Sequence, residues 1–60
     1  MENYFEFKGY NGSVEFSEED KVFFGKIQGI NDVVTFEGVS IIELQEAFQE
    51  SVLDYLEVLN

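Results

Sequence analysis

Along the first two-thirds of the chain, apolar residues recur at every second position. Along the last third they recur at every third or fourth. The segment Tyr4-Phe5-Glu6-Phe7-Lys8 alternates and is rich in aromatics, which predicts a half-buried strand. Gly9 and the pair Asn11-Gly12 interrupt it, as a bulge or a turn would. Ser13-Val14-Glu15-Phe16-Ser17 alternates again, with Val14 and Phe16 on one face. Glu18-Glu19-Asp20-Lys21 is a polar turn, and Val22-Phe23-Phe24-Gly25-Lys26-Ile27 is the returning strand. A turn centred on Glu19-Asp20 sets Glu18 opposite Lys21, Phe16 opposite Phe23 and Val14 opposite Gly25. Phe16, Phe23, Ile27 and Val14 then share a face, while Glu15 and Lys26 fall near each other on the other. A glycine across from Val14 implies close approach by another element, such as a helix.

After a loop at Gly29-Ile30-Asn31-Asp32, the β-prone run Val33-Val34-Thr35-Phe36 predicts a short strand. Ser40-Ile41-Ile42-Glu43 fits a capping box, with Ser40 as N-cap and Glu43 at the third helical position. Leu44, Ala47, Phe48, Ser51, Val52, Tyr55, Leu56 and Leu59 follow at helical spacing and should face the sheet. The expected fold is α+β: one domain over residues 1–60, a small antiparallel sheet of three to four strands with one C-terminal helix packed on one face. A domain this short buries only about 60% of its unfolded surface. With no cysteine and no histidine, disulfides and the common zinc sites are excluded. Seven Phe and three Tyr supply apolar area instead, and self-association is the expected further source of stability.

Charge changes the picture most. Thirteen acidic residues against three lysines give a net charge of −10. Nucleic-acid binding requires cations to neutralise phosphates, so none is expected of this chain. An anionic membrane surface would repel it, whereas a basic protein would be drawn to it. The absence of a signal-like start and of a long apolar run makes the cytoplasm the expected compartment. The helix carries Glu43, Glu46, Glu50, Asp54 and Glu57 at spacings of three or four, and no lysine or arginine lies between Ser40 and Asn60. Each such like-charge pair costs about 0.2–0.5 kcal/mol. The stripe is either a solvated face or a dock for a cationic partner, and Glu43, Glu46, Glu50 and Asp54 are the candidate contact residues. Tyr4, Phe5 and Phe7 are added to them, because one helix covers one sheet face and an exposed aromatic face commonly marks a protein interface.

No catalytic arrangement emerges. The four serines lack a histidine base. The glycines are scattered and form no phosphate-cradling motif. Glu18-Glu19-Asp20 could gather a divalent ion, but on an exposed hairpin tip a solvated turn is the better reading. The expectation is a binding protein, with neither enzymatic activity nor a cofactor.

The run Tyr10-Asn11-Gly12-Ser13-Val14-Glu15-Phe16-Ser17, with Glu19-Asp20 and Val22-Phe23-Phe24-Gly25-Lys26-Ile27, resembles the HicB-type antitoxin family. So does Gly29-Ile30-Asn31-Asp32-Val33-Val34-Thr35-Phe36-Glu37-Gly38, followed by a helix ending Asp54-Tyr55-Leu56-Glu57. The resemblance runs from about Tyr4 to Leu59. It implies a β-β-β-α core described as a truncated ribonuclease-H-like fold, without that fold's working acids. It further implies a partner, a small basic toxin that cleaves messenger RNA, and a tendency to form homo-oligomers. Many members carry a DNA-binding segment after the helix. This chain ends at Asn60, so direct promoter contact is not expected, and a truncated member, a minimal member and an orphan without a toxin are all compatible with the pattern.

Overall fold

A computed structural model describes residues 4–59 of the chain. Strand β1 (Tyr4–Phe7) turns through Lys8 and Gly9 into β2 (Tyr10–Ser13). Both turn residues have positive φ, 52° and 83°. That is the signature of a two-residue type I′ turn, whose twist suits a tight hairpin. Phe7 and Tyr10 therefore pair directly, as do Phe5 and Gly12.

The chain continues through Val14 into β3 (Glu15–Ser17) and returns in β4 (Val22–Gln28). Phe16 lies opposite Phe23, as the sequence register requires. Gly12 lies opposite Ile27 in the same register, so β2 and β3 are one run of chain along one edge of β4. The loop between β3 and β4 is closed by the Lys21 N–H, which donates to the Ser17 carbonyl at 2.8 Å. Lys21 itself is left-handed, with φ 57°. The other edge of β4 pairs with β5 (Thr35–Gly38), with Gly25 opposite Phe36. The result is an antiparallel meander followed by helix α1 (Ile41–Leu59).

The helix begins where the cap predicts. The Glu43 N–H donates to Ser40 Oγ at 3.2 Å, and the Leu44 N–H to the Ser40 carbonyl at 2.9 Å. Leu44, Phe48 and Val52 are buried on the face turned to the sheet, where Ile27 and Phe36 complete the core. The Phe48 ring lies 5.7 Å from that of Phe5 and 5.3 Å from that of Phe36. Helix and sheet are held together chiefly by this burial, about 1.5–3 kcal/mol for each large apolar side chain.

Two glycines make the close approach possible. A Cβ at Gly12 would come within 2.6 Å of Phe48 Cδ1 and 2.9 Å of Phe36 Cζ. The Asn11-Gly12 pair, expected as a turn or bulge, instead lies inside β2, where a missing side chain makes room for Phe48. A Cβ at Gly25 would fall on the carbonyl oxygen of Ser13. Between β2 and β3 the ladder is broken, and Ser13 Oγ replaces a backbone acceptor for the Lys26 N–H, at 3.0 Å. The strand expected at Val33–Phe36 forms two residues later, because Val33 is 87% exposed and belongs to the loop. Val34 still contributes its carbonyl to the Ile27 N–H at 2.9 Å.

Candidate protein-binding surface

The helix geometry decides where the acids go. At about 100° per residue, Glu43, Glu46, Glu50, Asp54 and Glu57 fall within about 80° of arc, opposite the Leu44–Phe48–Val52 stripe. All five are exposed. The sequence placed Glu43, Glu46, Glu50 and Asp54 together, and the fold presents them on one solvent-facing strip. The helix has an acid in its first turn and no base in its last, so the dipole leaves the Asp54–Glu57 end electrostatically disfavoured.

The aromatic candidates divide. Tyr4 is 45% exposed, on the sheet face away from α1. Phe5 and Phe7 are half-buried against the core, and Phe5 stacks on Phe48. Their pairing with Gly12 and Tyr10 puts them on the helix side of the sheet, so the free aromatic face expected of Tyr4, Phe5 and Phe7 together is not formed. The extent of the helix's cover was the missing quantity. The outer face is mainly polar, with Phe24 as its other aromatic.

Exposed apolar side chains are scattered over the molecule, the most exposed being Val33, Val58, Ile42 and Val39. Phe16 and Phe23 form a pair with ring centroids 4.8 Å apart, and Phe16 remains 46% exposed. With Val14, Glu15 and Ile41 they line a shallow groove of about 480 Å³ at the start of α1. Ile41 is 44% exposed. The signal for this groove was present in the sequence: the Phe16–Phe23 pair sits near the hairpin tip, and the helix starts only at Ile41.

Two other depressions are smaller. One is formed by Lys26 and the loop through Val33, and the other by Val34, Thr35, Ser51, Asp54, Tyr55 and Val58. Tyr55 meets Tyr10 edge-on at 5.9 Å. Loss of hydration at its hydroxyl raises the Tyr55 pKa above its ordinary value, and the neighbouring Asp32 carboxylate raises it further by accepting its proton in a hydrogen bond and by like-charge repulsion. Among the described residues, no three Asp or Glu side chains converge as a metal site, and no helix is long and apolar enough to cross a membrane. Comparison with protein-family models, with curated proteins and with solved structures finds no match for this chain.

Proposed function

We propose that this chain is an antitoxin-like inhibitor that acts by binding, without catalysis of its own, and that it masks a small basic ribonuclease in the cytoplasm. The observation that carries the reading is the exposed acidic strip of α1, on a chain of net charge −10. Like charges at helical spacing lower helix stability, and a cationic partner relieves that repulsion on binding. A messenger-RNA-cleaving enzyme must present cations to its phosphate substrate, so an acidic surface is a direct competitor for the same groups. The resemblance of Tyr4–Leu59 to HicB-type antitoxins supports the same conclusion from an unrelated direction.

The test is reconstitution with small basic proteins encoded beside this one. The expected outcome is a heterocomplex that suppresses RNA cleavage and loosens as salt is raised, since screening weakens contacts between exposed charges. The triple variant Glu46→Gln, Glu50→Gln, Asp54→Gln should weaken it; unchanged affinity removes the acidic strip from the interface.

A second reading is a self-associating module without a toxin. It is favoured by the exposed apolar residues Leu53, Val58 and Leu59 near the end of α1. It requires oligomers that persist at high salt, because apolar burial is not screened. A monomeric mass by light scattering at micromolar concentration counts against it.

A further inference from the structure

Among the described residues, strand β5 pairs with β4 and has no partner on its other edge. The Ile27 N–H donates to the Val34 carbonyl, which fixes the phase of the ladder. Bonded and non-bonded pairs alternate along antiparallel strands. Phe36 and Gly38 therefore turn their backbone groups to β4, while Thr35 and Glu37 turn theirs outward. Both residues are exposed, and among the described residues no backbone hydrogen bond outside the regular ladders reaches either. A free edge of this kind is a template for another strand, and natural chains commonly guard it with lysine or proline. Thr35–Gly38 has neither, and its one charge is Glu37.

The ground on both sides of the edge is acidic. Side chains alternate between faces along a strand. Phe36 is buried toward α1, so Val34 shares the helix side, while Thr35 and Glu37 lie on the outer face. On the helix side, Val34 and Thr35 join Ser51, Asp54, Tyr55 and Val58 around a depression of about 320 Å³, in which Asp54 is the one carboxylate. No lysine or arginine follows Lys26 in the chain. Lys26 stands opposite Thr35 on the outer face, so the outer position that suits an incoming cation is beside Glu37. A second copy is a poor occupant. Pairing β5 with its own copy would join two chains of net charge −10, with Glu37 and Asp54 of both at the seam.

We propose that the free edge of β5 receives an extended, cationic segment of a partner protein as an added strand. The segment's backbone pairs with the outward groups of Thr35 and Glu37. One cation lies beside Glu37 on the outer face. A second, three residues along as Val34 is from Glu37, points to the helix side and reaches Asp54 in the depression, its stem against Val34 and Val58. In strand addition the main-chain bonds supply affinity and the alternate side chains supply specificity. The proposal rests on the reading that the chain binds a basic partner, and it adds the conformation of the segment that is bound.

The experiment is an NMR titration of the isotopically labelled chain with a short synthetic peptide of valine and threonine that carries two lysines three positions apart. One control peptide has glutamates for the lysines. The other keeps the lysines but is methylated at its backbone nitrogens, so it cannot donate to a ladder. The expected result is shift changes and slowed hydrogen exchange at the Thr35 and Glu37 amides, with shifts at Ser51, Asp54 and Tyr55, all lost with both controls. Thr35→Pro removes an outward N–H that β4 does not use, at an edge position where proline is tolerated. It should weaken peptide binding about tenfold. Glu37→Gln, at an exposed position, should weaken it as well and serves if Thr35→Pro disturbs the sheet. Equal binding of the methylated peptide, equal binding of the glutamate peptide, shifts confined to Glu46 and Glu50, or a dimer with protected Thr35 and Glu37 amides in the absence of peptide would each overturn the proposal. Asp54 also belongs to the helix strip, so the variants on β5 separate the two ideas in the reconstituted inhibition assay. Inhibition that survives Thr35→Pro and Glu37→Gln unchanged sinks the edge alone, and peptide binding at the edge without inhibition of any basic ribonuclease sinks the inhibitor role alone.

Discussion

Gly25→Ala is the sharpest test of how the sheet is built. In an ordinary strand interior, alanine in place of glycine stabilises by roughly 0.5–1 kcal/mol, because glycine has more conformational freedom to lose. Here the added Cβ would fall on the Ser13 carbonyl oxygen and lie 2.9 Å from Phe36 Cζ. Overpacking typically costs about 1–3 kcal/mol and occasionally more. The obstacle is backbone, which cannot rotate aside, so the upper part of that range applies. The net expected loss is about 2 kcal/mol. A chain of this length has a total stability of about 3–9 kcal/mol, so the loss is a large fraction of the whole. Urea unfolding followed by far-UV circular dichroism measures it. With a slope of about 1 kcal/mol/M, the midpoint should fall by roughly 2 M. Gly12→Ala is the companion measurement. There the nearest atoms belong to the Phe48 ring, at 2.6 and 2.7 Å, and a side chain gives way more readily than a strand. Its loss should be smaller. A Gly25→Ala protein as stable as the parent, or more so, would refute the placement of the Ser13 carbonyl over Gly25.

Other outcomes follow from the same contacts. Phe48→Ala removes the ring between Phe5 and Phe36 and should cost about 3–5 kcal/mol, enough to leave much of the chain unfolded at 37 °C by calorimetry. Ser40→Ala removes the acceptor of the Glu43 N–H and should cost about 1 kcal/mol, read as a lower urea midpoint with an unchanged slope. In an ultraviolet titration, Tyr55 should ionise above the ordinary tyrosine range, and Asp32→Asn should lower its transition. Because its folded pKa lies above the unfolded value of 10.0, its contribution to stability is complete below pH 10 and is lost as pH rises through the folded pKa. A tyrosine transition indifferent to Asp32→Asn would remove that contact.

What the sequence conveyed, it conveyed through short-range rules. The Phe16–Phe23 register followed from a polar four-residue turn and matched partners across it. The helix start followed from one serine and the acid three positions later. Gly9 was legible as a turn residue and forms the turn with Lys8, whose positive φ no composition rule announces, but Asn11-Gly12 misled because its composition suits a tight turn as well. Gly12 is explained by the rings of Phe48 and Phe36, both far from it in the chain. The helix acids were legible because periodicity alone places them. Phe5 and Phe7 were misassigned because period-two alternation separates two faces without saying which one a distant helix covers. The groove at Phe16 and Ile41 went unread although its Phe16–Phe23 pair was legible, since its boundary is set by where α1 begins to cover the sheet.

The meander has a consequence for how quickly the chain reaches this state. Each hairpin joins neighbours in sequence, by two residues at Lys8-Gly9, by four at Glu18–Lys21 and by six at Gly29–Val34. The strands can therefore pair without first closing a long loop. Folding rates fall as the mean sequence separation of contacts grows, and only the docking of α1 back onto β1 and β2 spans most of the chain. The hairpins can form on the scale of about 1–10 μs, and the slow step is then the arrival of Phe48 over Gly12. Phe48 is the residue whose truncation should slow folding more than it speeds unfolding if that docking is the nucleus.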